Sequence, residues 1–182
     1  VADKPISYYA FEMLYWTGLR EGELLALTPA DFNFEKKTLR VNKSYQRLEG
    51  KDVITDPKTP KSNRTIVMPD FLTIEMEDFI KSIYGIKMDD RIFTISKSYL
   101  HHEMDRGAKL AGVKRIRIHG LRHSHISLLI NLGFSALAIG ERVGHEAVDI
   151  TYHYAHLFPT VQTDMAAQLE TEREALVNVR KE

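Results

Sequence analysis

The chain has 182 residues, 43% of them hydrophobic, and that length suffices for one domain with a core of its own. It has no cysteine, which excludes a disulfide framework and thiolate metal sites and fits a reducing, cytoplasmic setting. Lys and Arg total 25 and Asp and Glu total 25, so overall charge gives no sign of a nucleic-acid binder and the case rests on placement. No apolar run approaches the roughly 18 residues that span a bilayer, and the amino end lacks a secretory pattern. The first residue is Val rather than Met, which leads us to expect a fragment of a longer protein.

In chain order, ISYYAFEMLYWTG reads as a helix with Phe11, Leu14 and Tyr15 on one face and Gly18 as its stop. REGELLAL follows as a second helix that offers Leu24, Leu25 and Leu27 to the core, starts at Arg20 and is broken at Pro29. From Phe32 to Met68 the pattern alternates: TLRVNKSYQR, a turn at LEGKD, VIT, a loop DPKTPKSN, then RTIVMP, which predicts a small antiparallel meander. The DPKTPKSN loop carries Lys58 and Lys61 and is expected to be exposed. A helix over DFLTIEMEDFIKSIYG, a short RIFT strand and a helix over SKSYLHHEMDRGAKLAG come next. HGLRHSHISLLINLG, SALAIGERVG and AVDITYHYAHL are all helical by period, and an amphipathic tail begins at Thr160. The fold class predicted is α+β, mainly helical, as a single domain over 1–182.

Cleaving a phosphodiester without a metal needs a nucleophile, cations on the non-bridging oxygens and an acid for the leaving oxygen. Arginine suits the oxygens because its planar fork donates two parallel hydrogen bonds and keeps its charge. Arg20 and Arg122 are the candidates. His119 and Arg122 stand three apart at a helix start, so both can lie on one face near one phosphate, with the helix dipole adding to the attraction. His145 precedes Tyr154 by nine residues across a break between short helices, where a turn would bring imidazole and phenol together.

Together these segments resemble the tyrosine recombinase, or phage integrase, family across nearly the whole chain, and HLFP after Tyr154 looks more like integrases of temperate phages and conjugative transposons. TGLREGELLAL looks like the family's first arginine block, giving a catalytic Arg20 and a supporting Glu23. HGLR matches its HxxR motif at His119 and Arg122, and Gly144 with His145 matches its glycine-histidine motif. Tyr154 falls in the nucleophile's frame between Thr151 and His156, with Tyr152 out of frame. The family's hairpin lysine maps to Lys58, with Lys61 as runner-up.

The resemblance implies a site-specific recombinase that needs no cofactor or metal. Tyr154 would attack the scissile phosphate to give a 3′-phosphotyrosyl link. Arg20, Arg122 and His145 would stabilise charge, Lys58 would protonate the leaving 5′-oxygen, His119 would assist the phenol's proton, and Glu23 would orient Arg20 or His119. Partners implied are double-stranded attachment-site DNA, three further copies in a tetramer on DNA, and an excisionase or host bending protein, with no membrane. Core-binding and arm-binding domains of the family are absent from these residues.

Singly, each of these side chains has a plain structural explanation; the weight lies in five motif elements in order. Other classes considered are a metal hydrolase using His119 and His123, one helical turn apart, a DNA-binding relative without chemistry, and a type IB topoisomerase.

Overall fold

The computed structural model describes residues 4–57, 62–145 and 147–157, together with positions 166, 169 and 171. Lys58, Lys61 and nearly all of the expected tail lie outside the described residues. Two helices open the chain, α1 (Ile6–Thr17) and α2 (Glu21–Ala26). Five strands follow as one block: β1 (Phe32–Asn33), β2 (Thr38–Val41), β3 (Ser44–Leu48), β4 (Lys51–Thr55) and β5 (Arg64–Val67). Helices α3 (Asp70–Ser82), α4 (Lys97–Ala111), α5 (Ile118–Asn131), α6 (Ala136–Val143) and α7 (Ala147–Tyr154) complete a mainly helical α+β fold.

The strands are antiparallel as expected, but they form two sheets: β1-β2-β5 and the hairpin β3-β4. The stretch TLRVNKSYQR is therefore not one strand, because the chain leaves the first sheet at Asn42 and Lys43. Lys43 explains the break: its ammonium binds buried Asp31 at 2.6 Å and the Thr28 hydroxyl at 3.2 Å, which anchors the corner. The predicted turn at LEGKD is a two-residue hairpin between paired Leu48 and Lys51, with Glu49 and Gly50 both at positive φ, the handedness that matches strand twist.

RIFT is not a strand. Ile92 and Phe93 are buried, yet one backbone bond, Ile92 N–H to Leu27 O at 2.9 Å, replaces a ladder, and Arg91 pins the segment to Leu25 O and Asp52. On α1 the buried positions are Ser7, Tyr9, Ala10, Met13, Leu14 and Thr17, so Leu14 is buried as expected, while Phe11 and Tyr15 are only partly covered and the inward face runs through Met13 instead. Helix α2 buries Leu24 and Leu25 as predicted and ends at Ala26, before Pro29.

Apolar burial falls into two clusters. The larger joins α1, α2, β2, β5 and α3, with Leu14, Leu24, Leu39, Ile66 and Leu72 at its centre. The smaller is made by α5, α6 and α7 through Ile126, Ile130, Ile139, Val143, Ile150 and Tyr154. Between the two clusters run the polar side chains that form the site.

Candidate active site

Arg20 is the residue before α2, in extended conformation, and its place is set by Glu23 one turn on. The Glu23 carboxylate accepts from the Arg20 backbone N–H at 2.9 Å and from its guanidinium at 2.8 Å. This satisfies an orphan donor of the helix start and holds the arginine in one rotamer. The second guanidinium nitrogen reaches Gly144 O at 3.2 Å, so Arg20 links α2 to the end of α6. Glu23 is buried and also takes a fork from Arg64, the first residue of β5, at 2.9 and 3.1 Å. Burial pushes the Glu23 carboxyl up, but Arg64 and then Arg20 outweigh it and hold it below the usual carboxylate range.

Arg122 is 1% exposed, on the first turns of α5. Its guanidinium donates to Gly18 O at 2.5 Å and Val143 O at 2.6 Å, tying the ends of α1 and α6 together. Its Nε is buried with no hydrogen-bond partner among the described residues. Burial and then the nearby Arg20 cation lower its pKa to about 9, so it stays charged at neutral pH.

Gly144 ends α6 in the left-handed conformation, and Gly140 O accepts from both Gly144 and His145 N–H. That cap turns His145 toward the arginines. Burial first, then Arg122 and Arg20, lower the His145 ring to about 4, which leaves it a neutral imidazole at pH 7. Arg20, Glu23, Gly144 and His145 line one groove of about 710 Å³, and Lys43, Lys97 and Asp149 lie along it. Pro57 and Ser62, either side of the loop that carries Lys58 and Lys61, line the same groove.

Tyr154 closes α7 and is 8% exposed, whereas Tyr152 is 83% exposed and turns outward. The Tyr154 hydroxyl does not bond His145, the neighbour expected from the sequence. It hydrogen-bonds Nδ1 of His123 on α5. The His119 and His123 rings meet edge to face with centroids 4.7 Å apart. Among the described residues no group of three His, Asp or Glu gathers around them or elsewhere to hold a metal. Burial raises the Tyr154 phenol above its ordinary value, with Arg122 opposing.

The structure thus brings Arg20, Glu23, Arg122, His119, His145 and Tyr154 into one region where α2, α5, α6 and α7 meet. Arg20 and His145 face the groove, Arg122 is buried close enough to both to shift their electrostatics, and the Tyr154 phenol carries an imidazole on its oxygen. Such a set can neutralise charge on phosphoryl oxygens and present a nucleophile. Two contributors were missed in the sequence. Arg64 was detectable, since RTIV alternates and puts Arg64 on the inward face with Ile66, where a buried cation requires a buried acid. His123 was noticed only for its spacing from His119; nothing in the sequence pointed it at Tyr154.

A family model described as the phage integrase family matches residues 2–160. The chain is 33% identical over 174 residues to the ICEBs1 integrase of Bacillus subtilis strain 168, covering 88% of this chain and 47% of that protein. It is 30% identical to the integrase of Staphylococcus phage L54a, covering 88% of this chain and 51% of that protein. The chain thus spans about half the length of these curated relatives. Among solved structures, a Tn1549 transposon integrase in complex with a circular intermediate DNA superposes with a TM-score of 0.75 at 23% identity, covering 94% of this chain and 60% of that one. The XerH recombinase in a pre-cleavage complex with its difH substrate gives 0.64 at 22% identity, over 88% of this chain and 46% of that one.

Proposed function

The chain belongs to the phage integrase family, and on that premise we propose that it is the catalytic domain of a site-specific tyrosine recombinase that integrates or excises a mobile element or phage genome. The observation that carries the reading is the gathering of Arg20 and His145 on one groove with buried Arg122 beside them, and Tyr154 as the buried tyrosine of α7. Tyr154 attacks the scissile phosphate, forming a 3′-phosphotyrosyl link and releasing a 5′-hydroxyl that later attacks a partner strand's link. Arg20 and Arg122 hold the non-bridging oxygens, and Glu23 orients Arg20. His145, neutral in the free protein, donates a hydrogen bond, and the charge growing on the phosphoryl oxygens favours its protonation. Lys58 protonates the leaving oxygen, a role supported by Pro57 and Ser62, its neighbours in sequence on either side, lining the groove, and His119 assists transfer of the phenol's proton.

DNA as substrate gains support from the solved integrase and recombinase complexes that share this fold. The relatives are about twice as long, which fits core-binding and arm-binding domains outside this chain and a tetramer assembled on DNA, with an excisionase or host bending protein as accessory partner. The test is covalent trapping: the full protein meets a nicked suicide substrate of its attachment site in EDTA. A denaturation-resistant adduct that disappears in Tyr154→Phe is the expected result. An adduct that survives in that variant moves the nucleophile elsewhere, and none on DNA shown to bind favours a relative that only binds.

A further inference from the structure

Resting on the recombinase reading, we propose that His123 is a further catalytic residue, whose Nδ1 takes the proton of the Tyr154 hydroxyl as that oxygen attacks phosphorus. The family pattern assigns the phenol's proton to His119, but the hydroxyl's hydrogen bond goes to His123. The two rings are tilted at 45° with centroids 5.9 Å apart, across the contact between α5 and α7. His119, one turn earlier on α5, stands edge-on to the His123 ring at 4.7 Å, so it supports the acceptor without touching the reacting oxygen.

The helix explains why the neighbour of Arg122 does this work. Consecutive residues on a helix point about 100° apart. When Arg122 turns inward to Gly18 O and Val143 O, His123 is carried round toward α7. The groups that face the imidazole are His119 and Arg122 from α5 and His153 and Tyr154 from α7. Burial, then Arg122 and His153, hold the ring below the ordinary histidine value, which favours the uncharged imidazole at neutral pH; in its Nε2–H tautomer the Nδ1 lone pair accepts from the phenol. A tyrosine hydroxyl ionises near pH 10 in water, and this one is pushed higher by burial, so attack at neutral pH needs an acceptor in place.

The step balances. A lone pair of the Tyr154 oxygen forms the bond to phosphorus, the O–H proton passes to His123 Nδ1, and the P–O5′ bond pair leaves with the 5′-oxygen, which takes a proton from Lys58. On religation the imidazolium returns its proton to the departing phenol oxygen. No oxidant or metal takes part in the transfer.

The experiment measures single-turnover adduct formation by the full protein on the suicide substrate across pH, for wild type, His123→Ala, His123→Asn and Tyr154→Phe. His123 is not one of the buried core residues although its ring is partly covered, so its replacement spares the core, and unchanged binding to the intact site confirms a folded variant. His123→Ala is expected to slow the adduct about 100-fold or more. Wild-type rate should fall on the acid side as His123 protonates, while the alanine variant loses that limb and gains rate with rising pH as the phenol ionises. His123→Asn, which keeps an acceptor atom without basicity, should be equally slow. Wild-type rates in His123→Ala, or restoration by Asn, overturn the proton-acceptor role alone. Absence of a Tyr154-dependent adduct in the wild type sinks the recombinase reading and takes this proposal with it.

Discussion

Arg122 illustrates what a single buried side chain costs and supplies here. Removing a guanidinium from water is expensive unless its donors are met; two backbone carbonyls take one donor from each terminal nitrogen and Glu23 offsets part of the charge, while Nε stays unpaired among the described residues. The result is a cation whose position is fixed by the fold, which is the condition for strong electrostatic stabilisation of the kind the proposed chemistry requires. Its neighbour His125 carries the opposite cost. It is 2% exposed, its Nε2 accepts from Arg142 at 3.1 Å, and burial, then Arg142, lower its pKa to about 4. The unfolded chain binds a proton at this histidine below pH about 6.5, the folded chain only near 4, so stability attributable to it is full above 6.5 and is lost as pH falls toward 4. The loss amounts to about 3 kcal/mol. His125→Gln keeps an acceptor for Arg142 and removes the titration, so urea unfolding between pH 7 and 4 should show a flatter decline than wild type. Parallel declines would assign the acid sensitivity to other groups.

Among the elements, the turn between α1 and α2 makes two demands on one residue. Gly18 sits at φ 67°, and a Cβ there would lie 2.6 Å from the His125 ring, while its carbonyl receives Arg122. Gly18→Ala is therefore expected to cost more than the roughly 1–2 kcal/mol of a left-handed residue alone, and to slow adduct formation by displacing Arg122. Gly50 supplies the control: it is also at positive φ, 78°, but its Cβ would meet nothing within 4 Å. Gly50→Ala should lose only the conformational part. Comparing the two melting temperatures checks the argument, and equal losses would mean that the packing around Gly18 gives way. Gly22 makes the same kind of contact between α2 and β3, where a Cβ would stand 2.5 Å from the Ser44 hydroxyl and 3.0 Å from Tyr45 O.

For the whole molecule, the division of the core into two clusters has a mechanical consequence. Tyr154 belongs to the smaller cluster of α5, α6 and α7, whereas Arg20 and Glu23 stand on elements of the larger one. Helix α5 spans both, with Ile118 in the larger cluster and Ile126 in the smaller, whereas the joins of α6 to the larger cluster include polar ones: Arg20 to Gly144 O, Arg64 to Arg142 O at 2.9 Å, and Arg142 to Trp16 O and Val67 O at 3.0 Å each. Ile150, on α7 one turn before Tyr154, is fully buried. Ile150→Ala, at a cost of about 2–5 kcal/mol, should speed hydrogen exchange in α6 and α7 while β2 and β5 stay protected. Uniform loss of protection would show that the clusters unfold as one unit.

The sequence by itself determined the motif residues, their order, the mainly helical α+β class and most element positions, because hydrophobic period and glycine stops are local signals. Through the family resemblance its motifs also pointed to Arg20, Glu23, His119, Arg122, His145 and Tyr154 as candidate site residues. Only tertiary structure decided that TLRVNKSYQR splits between two sheets at Lys43, that RIFT is a buried segment without a ladder, and which face of α1 turns inward. Each depends on what lies opposite, such as Asp31 for Lys43 and Leu27 O for Ile92. The same holds for the chemistry: Arg64 on Glu23 and His123 on Tyr154 are pairings across 41 and 31 residues of chain, set by helix rotation and strand register rather than by spacing.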